Sequence, residues 1–138
     1  MTTSGEKSIT IALMDPPYSS GTTTTALRIM DAALRKGINV NVFAYEGAVN
    51  LTMSGQAPHP NPVKGTSIEE QDHPSTAKFI AGLFTLGSNS PKLEWVNCGL
   101  CVDERGAGEW IDGPRRGGPG DLFKFSQEST NTLVIGTR

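Results

Sequence analysis

The 138-residue sequence has no long apolar run, no large excess of either charge, and very little cysteine or histidine. Each shortage removes a class of function. The first apolar stretch, residues 8–14, is stopped at once by Asp15-Pro16-Pro17 and preceded by a polar segment, so neither a membrane span nor a secretory leader is expected. Twelve basic against fourteen acidic residues leave a formal charge of -2, which argues against a broad electrostatic surface for nucleic acid or anionic membrane. Lys and Arg stand singly, apart from Arg35-Lys36 and Arg115-Arg116, and Glu69-Glu70-Gln71-Asp72 reads as a solvated loop. The two cysteines are three residues apart, too few for a disulfide framework and suited to a reducing cytoplasm. Zinc needs four ligands, and His59 and His73 both fall on one irregular segment, so no metal or other cofactor is expected.

What is present is an alternation of strand and helix patterns. Residues 8–14 are β-branched and apolar, short enough for a strand buried on both faces. After the Pro-Pro stop, Ser20 or Thr22 is placed to cap a helix over 23–36, where Ala26, Leu27, Met30, Ala33 and Leu34 recur at helical spacing. Gly37 supplies a C-terminal stop, and residues 38–45 alternate as a strand, which completes a right-handed βαβ unit with parallel strands. A short helix is weakly indicated over 47–55, and residues 56–71, with three prolines, form a long loop. Pro74 opens a second amphipathic helix carrying Ala77, Phe79, Ile80, Leu83 and Phe84, and residues 93–96 make the third strand. Residues 107–120 are punctuated by Gly and Pro, 121–130 form a last helix, and 132–135 a last strand. The expectation is a single α/β domain over residues 1–138, a mainly parallel β-sheet flanked by helices on both faces. In such sheets the working loops gather at the carboxyl ends of the strands, which brings Tyr18 and Ser19 within reach of Cys98.

The chemistry is placed in residues 98–106, Cys-Gly-Leu-Cys-Val-Asp-Glu-Arg-Gly. A thiol is a nucleophile only as thiolate, and thiolate is favoured by backbone N–H groups at a helix start or by a fixed cation. The turn after Cys98 offers the first and Arg105 the second. Other readings stand beside this one. Cys98 can be an inert buried thiol, Cys101 a resolving thiol or a packing residue, and Arg105 a surface partner of Glu104 or Asp103. Cys98 and Cys101 also have the spacing of a dithiol redox pair, although such a motif usually follows the first strand of its domain. Arg115 and Arg116, among glycines, read as a solvated loop in preference to an anion-binding nest.

Laid out this way, the chain resembles the DsrE/DsrF-like (TusD/YchN-like) sulfur-relay family almost end to end. The resemblance is carried by Pro17-Tyr18, by Gly47-Ala48-Val49 and Gly55-Gln56, by the Cys-x-x-Cys-x-x-x-Arg-Gly pattern at Cys98, Cys101, Arg105 and Gly106, and by Ile111-Asp112-Gly113. The segments around 59–65 and 115–120 read as insertions. The resemblance implies the family's flavodoxin-like layering. It implies a cytoplasmic sulfurtransferase in which Cys98, seven residues before Arg105, carries sulfane sulfur as a persulfide and passes it to an acceptor thiol. Arg105 is expected to steady the sulfur anion and Tyr18 and Ser19 to border the site, while Cys101, where the family tends to carry a small residue, is a resolving thiol or a packing residue. It further implies small sulfur-carrier proteins as donor or acceptor, and a homo-oligomer, dimer to hexamer, or a complex with related subunits. The competing readings are a non-catalytic binding or regulatory subunit, or a thiol redox protein.

Overall fold

The computed structural model of the chain describes residues 6–57, 67 and 75–137. Five strands form one sheet, all parallel: β1 (Ser8–Leu13), β2 (Asn39–Ala44), β3 (Leu93–Cys98), β4 (Arg115–Gly117) and β5 (Asn131–Ile135), in the order β4-β3-β2-β1-β5. The helices are α1 (Gly21–Arg35), α2 (Thr76–Leu86), α3 (Gly99–Arg105) and α4 (Pro119–Glu128), with a 3-10 segment at Glu46–Thr52. Among the described residues, no helix is long and apolar enough to cross a membrane.

Side-chain alternation divides the core between the two faces of the sheet. Ile11, Leu13, Val40, Val42, Leu93 and Trp95 meet α1 and α2 through Ala26, Leu27, Met30, Ile80 and Leu83. Phe43, Val96 and Cys98 point the other way and pack with Phe125 of α4. The periodicity of α1 is thus satisfied by one face, and Gly37, at φ 80, stops the helix in a conformation that favours glycine. Ser20 stands at the N-cap of α1, but its hydroxyl donates to the carboxylate of the buried Asp15, 2.8 Å away. Ser75 caps α2 by accepting from the backbone N–H of Lys78, and Pro74, expected to open this helix, lies outside the described residues. Most of the Pro-rich loop, with both histidines, also lies outside them.

Three expectations need correction. The segment around 115–120, read as an inserted solvated loop, begins with edge strand β4, whose Arg115, Arg116 and Gly117 pair with Val96, Asn97 and Cys98. Arg-Arg-Gly has no strand pattern of its own; it extends because β3 supplies a bonding edge, and its charges suit an exposed rim. The cysteine loop is also regular: Cys98 ends β3 and is the N-cap of α3, which Gly106 closes at φ 57. The last helix starts earlier than the expected 121, at Pro119. Its first turn is fixed by Asp121, which accepts from the backbone N–H of Gly118 at 3.0 Å.

The family-like motifs after β2 have packing roles. Ala48 and Val49 are fully buried, and the N–H of Ala48 reaches the carbonyl of Met14. The amide of Gln56 donates to the carbonyls of Asn50 and Leu51 and accepts from the N–H of Ala77, tying the 3-10 segment to the start of α2.

Candidate functional site

Because the strands are parallel and in register at Leu13, Ala44 and Asn97, the segments that follow β1, β2 and β3 leave the sheet along one edge. Cys98 sits at this edge on the α4 side of the sheet. Trp95, Asn97 and the buried Thr52 form a hydrogen-bonded chain just behind it: Trp95 Nε1 donates to Asn97 Oδ1 at 3.1 Å, and Asn97 Nδ2 to Thr52 Oγ1 at 3.0 Å. This chain fixes the end of β3, so the backbone that presents Cys98 is held on its far side.

One helical turn later Cys101 lies beside Cys98 in the same buried cluster, close enough for each thiol to act on the other. Both are free and buried, at 6% and 8% exposure. Burial pushes the Cys101 thiol above its ordinary range, and the charges of Cys98 and Glu46 push it the same way. The backbone N–H of Glu46, 3.1 Å from its Sγ, acts in opposition.

Glu46 is a site residue that pattern reading does not reveal. It stands at φ 51, a left-handed conformation that costs a non-glycine residue about 1 kcal/mol or more. That turn aims its N–H at Cys101 while its carboxylate accepts from Arg105 at 2.8 Å. Arg105 also stands 4.0 Å from Glu104, so of the two expected surface partners it has only this weaker one, and Asp103 pairs with Arg116. Arg105 and Glu46 line an open cleft of about 790 Å³ with Met14, Asp15, Pro16 and Tyr45. Tyr45 packs half-buried against the cysteine cluster. Burial, Glu46 and Cys101 together push its phenol up.

Arg116 is the second unanticipated residue. β4 pairs it beside Asn97, and its guanidinium lies against Gly99, where a methyl group would meet Nε at 2.6 Å and Cζ at 2.7 Å. Asp103 holds it from α3 through two bonds of 3.1 and 2.7 Å, which keep the Asp103 carboxyl below its usual range.

Tyr18 and Ser19 follow β1 at the same edge but join a different neighbourhood. Tyr18, at φ 62, takes the backbone N–H of Thr76 on its phenol oxygen, at the start of α2, and burial raises its pKa against that bond. Ser19 is exposed, and its N–H reaches the carbonyl of Pro16 at 3.4 Å. Neither lines the cleft of Arg105 and Glu46. Among the described residues, no three His, Cys, Asp or Glu side chains are grouped to hold a metal ion.

The arrangement can hold sulfur chemistry: neighbouring thiols at a strand-to-helix junction, one of them with its pKa raised by burial, flanked by two guanidinium groups and a polar cleft. Comparison with known proteins points the same way. The uncharacterized protein MJ0989 of Methanocaldococcus jannaschii is 27% identical over 128 residues, covering 91% of this chain and 97% of that protein. The uncharacterized protein MK0008 of Methanopyrus kandleri is 28% identical over 129 residues, 92% of this chain and 93% of that one. The crystal structure of the ychN protein from E. coli superposes with a TM-score of 0.66 at 20% identity, over 94% of this chain and 98% of that one. MTH1491 from Methanobacterium thermoautotrophicum, a protein of unknown function, gives 0.65 at 10% identity, over 94% and 99%. These two structures share the fold. A model of the DsrE/DsrF-like family matches residues 7–135, from the first strand to the last and through both cysteines, and the chain belongs to that family, which is associated with sulfur relay.

Proposed function

We propose that the protein is a persulfide sulfurtransferase whose carrier is Cys98. The Cys98 thiolate attacks the outer sulfur of a donor persulfide. A new S–S bond forms as the donor's S–S bond breaks, and the donor leaves as a thiol. An acceptor thiolate then attacks the outer sulfur of the Cys98 persulfide, and Cys98 leaves as thiolate. No net oxidation occurs and no metal or nucleotide is needed. The observation that carries this reading is the pair of neighbouring thiols at the end of β3, within a chain of the sulfur-relay family.

Burial pushes the Cys101 thiol up, which supports a division of labour in which Cys98 loads first; where no acceptor takes the sulfur, Cys101 is the resolving thiol, closing a disulfide with Cys98 as hydrosulfide leaves, and an external dithiol reduces that disulfide. Arg105, held to Glu46 in the cleft, gives an incoming or departing sulfur anion its cation. Tyr18 and Ser19 lie at the same edge on the β1 side, apart from this cleft, and carry no step of the transfer. The partners are small sulfur-carrier proteins in the cytoplasm, and the chain works as a homo-oligomer or with related subunits. Incubation with a sulfane-sulfur donor, followed by intact mass measurement, tests the reading. An adduct of one sulfur atom that is lost on reduction is expected, and its absence from both cysteines overturns it.

The placement of Cys98 at the N-cap of α3, with Cys101 one turn on, favours one second reading, a dithiol redox protein. That reading requires a disulfide that forms and is reduced reversibly without any sulfane sulfur, and thiol titration across a dithiol redox buffer separates the two.

A further inference from the structure

Arg116 belongs to no motif of the cysteine segment and is eighteen positions beyond Cys98, yet β4 returns it to the junction of β3 and α3. Three features fix it there. Register sets Arg116 opposite Asn97 and Gly117 opposite Cys98. The backbone of Gly99 is the floor under its guanidinium, and any side chain at 99 would occupy that space. Asp103, one turn along α3, grips it by two nitrogens. The charge of Cys98 reaches Arg116, with less effect on it than Asp103 has.

Resting on the sulfurtransferase reading, we infer that Arg116 is the group that holds the sulfur anion on Cys98, with Asp103 as its positioning partner and Gly99 as the space that admits it. Both members of the Arg116–Asp103 pair are more than half exposed, so the pair is cheap to rearrange. A persulfide extends the anion of Cys98 outward by one sulfur, toward a guanidinium that needs only to slide from carboxylate to sulfur. Arg116 changes no bond in the transfer; its contribution is electrostatic, to Cys98 as nucleophile and to Cys98 as leaving group. The other charged or titratable groups around the junction have their own partners. Cys101 takes the Glu46 N–H, Glu46 takes Arg105, Tyr45 follows β2 and packs its ring against Phe43, and Asp121 of α4 takes Arg115 and the Gly118 N–H.

The test uses the full chain in a Cys101→Ser background, so that only Cys98 reacts, and measures alkylation by iodoacetamide at neutral pH. Arg116→Gln is expected to slow it about three- to tenfold, since a fixed cation beside a thiol favours the reactive thiolate. Arg116→Lys should restore part of the rate. Arg115→Gln, an equal change of charge one residue away on the same edge strand, should leave it unchanged. Added salt should slow the parent protein more than Arg116→Gln, because the interaction is partly screened. Equal rates for Arg116→Gln and the parent, or equal slowing by Arg115→Gln and Arg116→Gln, would overturn the inference. Circular dichroism confirms that each variant is folded. If the parent protein accepts no sulfane sulfur at all, the sulfurtransferase reading fails, and the alkylation series still decides whether Arg116 serves the Cys98 anion.

Discussion

The backbone N–H of Glu46 points at the sulfur of Cys101 from 3.1 Å, across 55 residues of sequence. It does so because Glu46 adopts a left-handed conformation as the chain leaves β2, and the same turn offers its carboxylate to Arg105. The two segments that frame the cysteines are therefore locked together by one residue, which raises the Cys101 thiol by charge and restrains it by hydrogen bonding.

Glu46→Gln keeps the backbone donor and removes the charge. Since the Glu46 charge acts to raise the Cys101 pKa, the variant is expected to ionise at lower pH and to alkylate faster at a given pH near neutrality. The rate of Cys101 modification against pH, in a Cys98→Ser background, checks this. An unmoved profile would mean that Glu46 acts on Cys101 only through its N–H.

Asn97→Ala leaves the buried indole N–H of Trp95 without its acceptor and the Thr52 hydroxyl without its donor. Each orphaned group costs about 1–3 kcal/mol. A loss of roughly 3 kcal/mol in urea unfolding is expected, with the midpoint lowered and the slope retained. A loss below about 1 kcal/mol would show that the chain behind Cys98 is replaceable by water.

Asp121 is held below the ordinary carboxylate range, first by the Gly118 N–H and then by Arg115. A carboxylate with a depressed folded pKa stabilises fully above its unfolded value, near 3.9, and that stability is lost as pH falls through the folded value. Asp121→Ala should therefore cost about 1 kcal/mol at neutral pH, the usual worth of a cap. The stabilities of the two proteins should converge as pH falls through the folded value. Thermal unfolding at several pH values gives the comparison, and a gap that persists in acid would assign the effect to packing instead.

Phe123 of α4, Val134 of β5 and Leu100 of α3 are each more than 60% exposed, whereas Phe125 is buried. The two phenylalanines, two positions apart on one helix, face opposite ways, as their spacing requires. Trp110 and Ile111 are half-buried and pack against different core clusters, so they add nothing to this exposed apolar surface. A homo-oligomer that covers Phe123 is expected, and light scattering at micromolar concentration should report a multiple of 14.7 kDa. A monomer would remove the oligomer and leave Phe123 for a different partner.

The βαβ start of the fold was legible because α1 and β2 carry strong periodicities of their own, and the face that each buries is written in Ala26, Leu27 and Met30 or in Val40 and Val42. The cysteine pair was legible for a chemical reason, the scarcity of thiols. β4 was not, because Arg115-Arg116-Gly117 is a strand only by virtue of the edge that β3 lends it. Arg116 and Glu46 escaped for the same kind of reason: one reaches the site through sheet register and the other through a positive φ, and neither leaves a local signature in sequence. Tyr18 was placed correctly at the edge, but its contact with the start of α2 depends on how the β1 loop turns.

The central claim is that sulfur resides on Cys98, and the most direct measurement is the intact mass of Cys98→Ser and Cys101→Ser after exposure to the same sulfane-sulfur donor. Cys101→Ser is expected to gain one sulfur atom that reduction removes, and Cys98→Ser to gain none. Loading retained in Cys98→Ser and lost in Cys101→Ser would contradict the assignment and make the buried Cys101 the carrier.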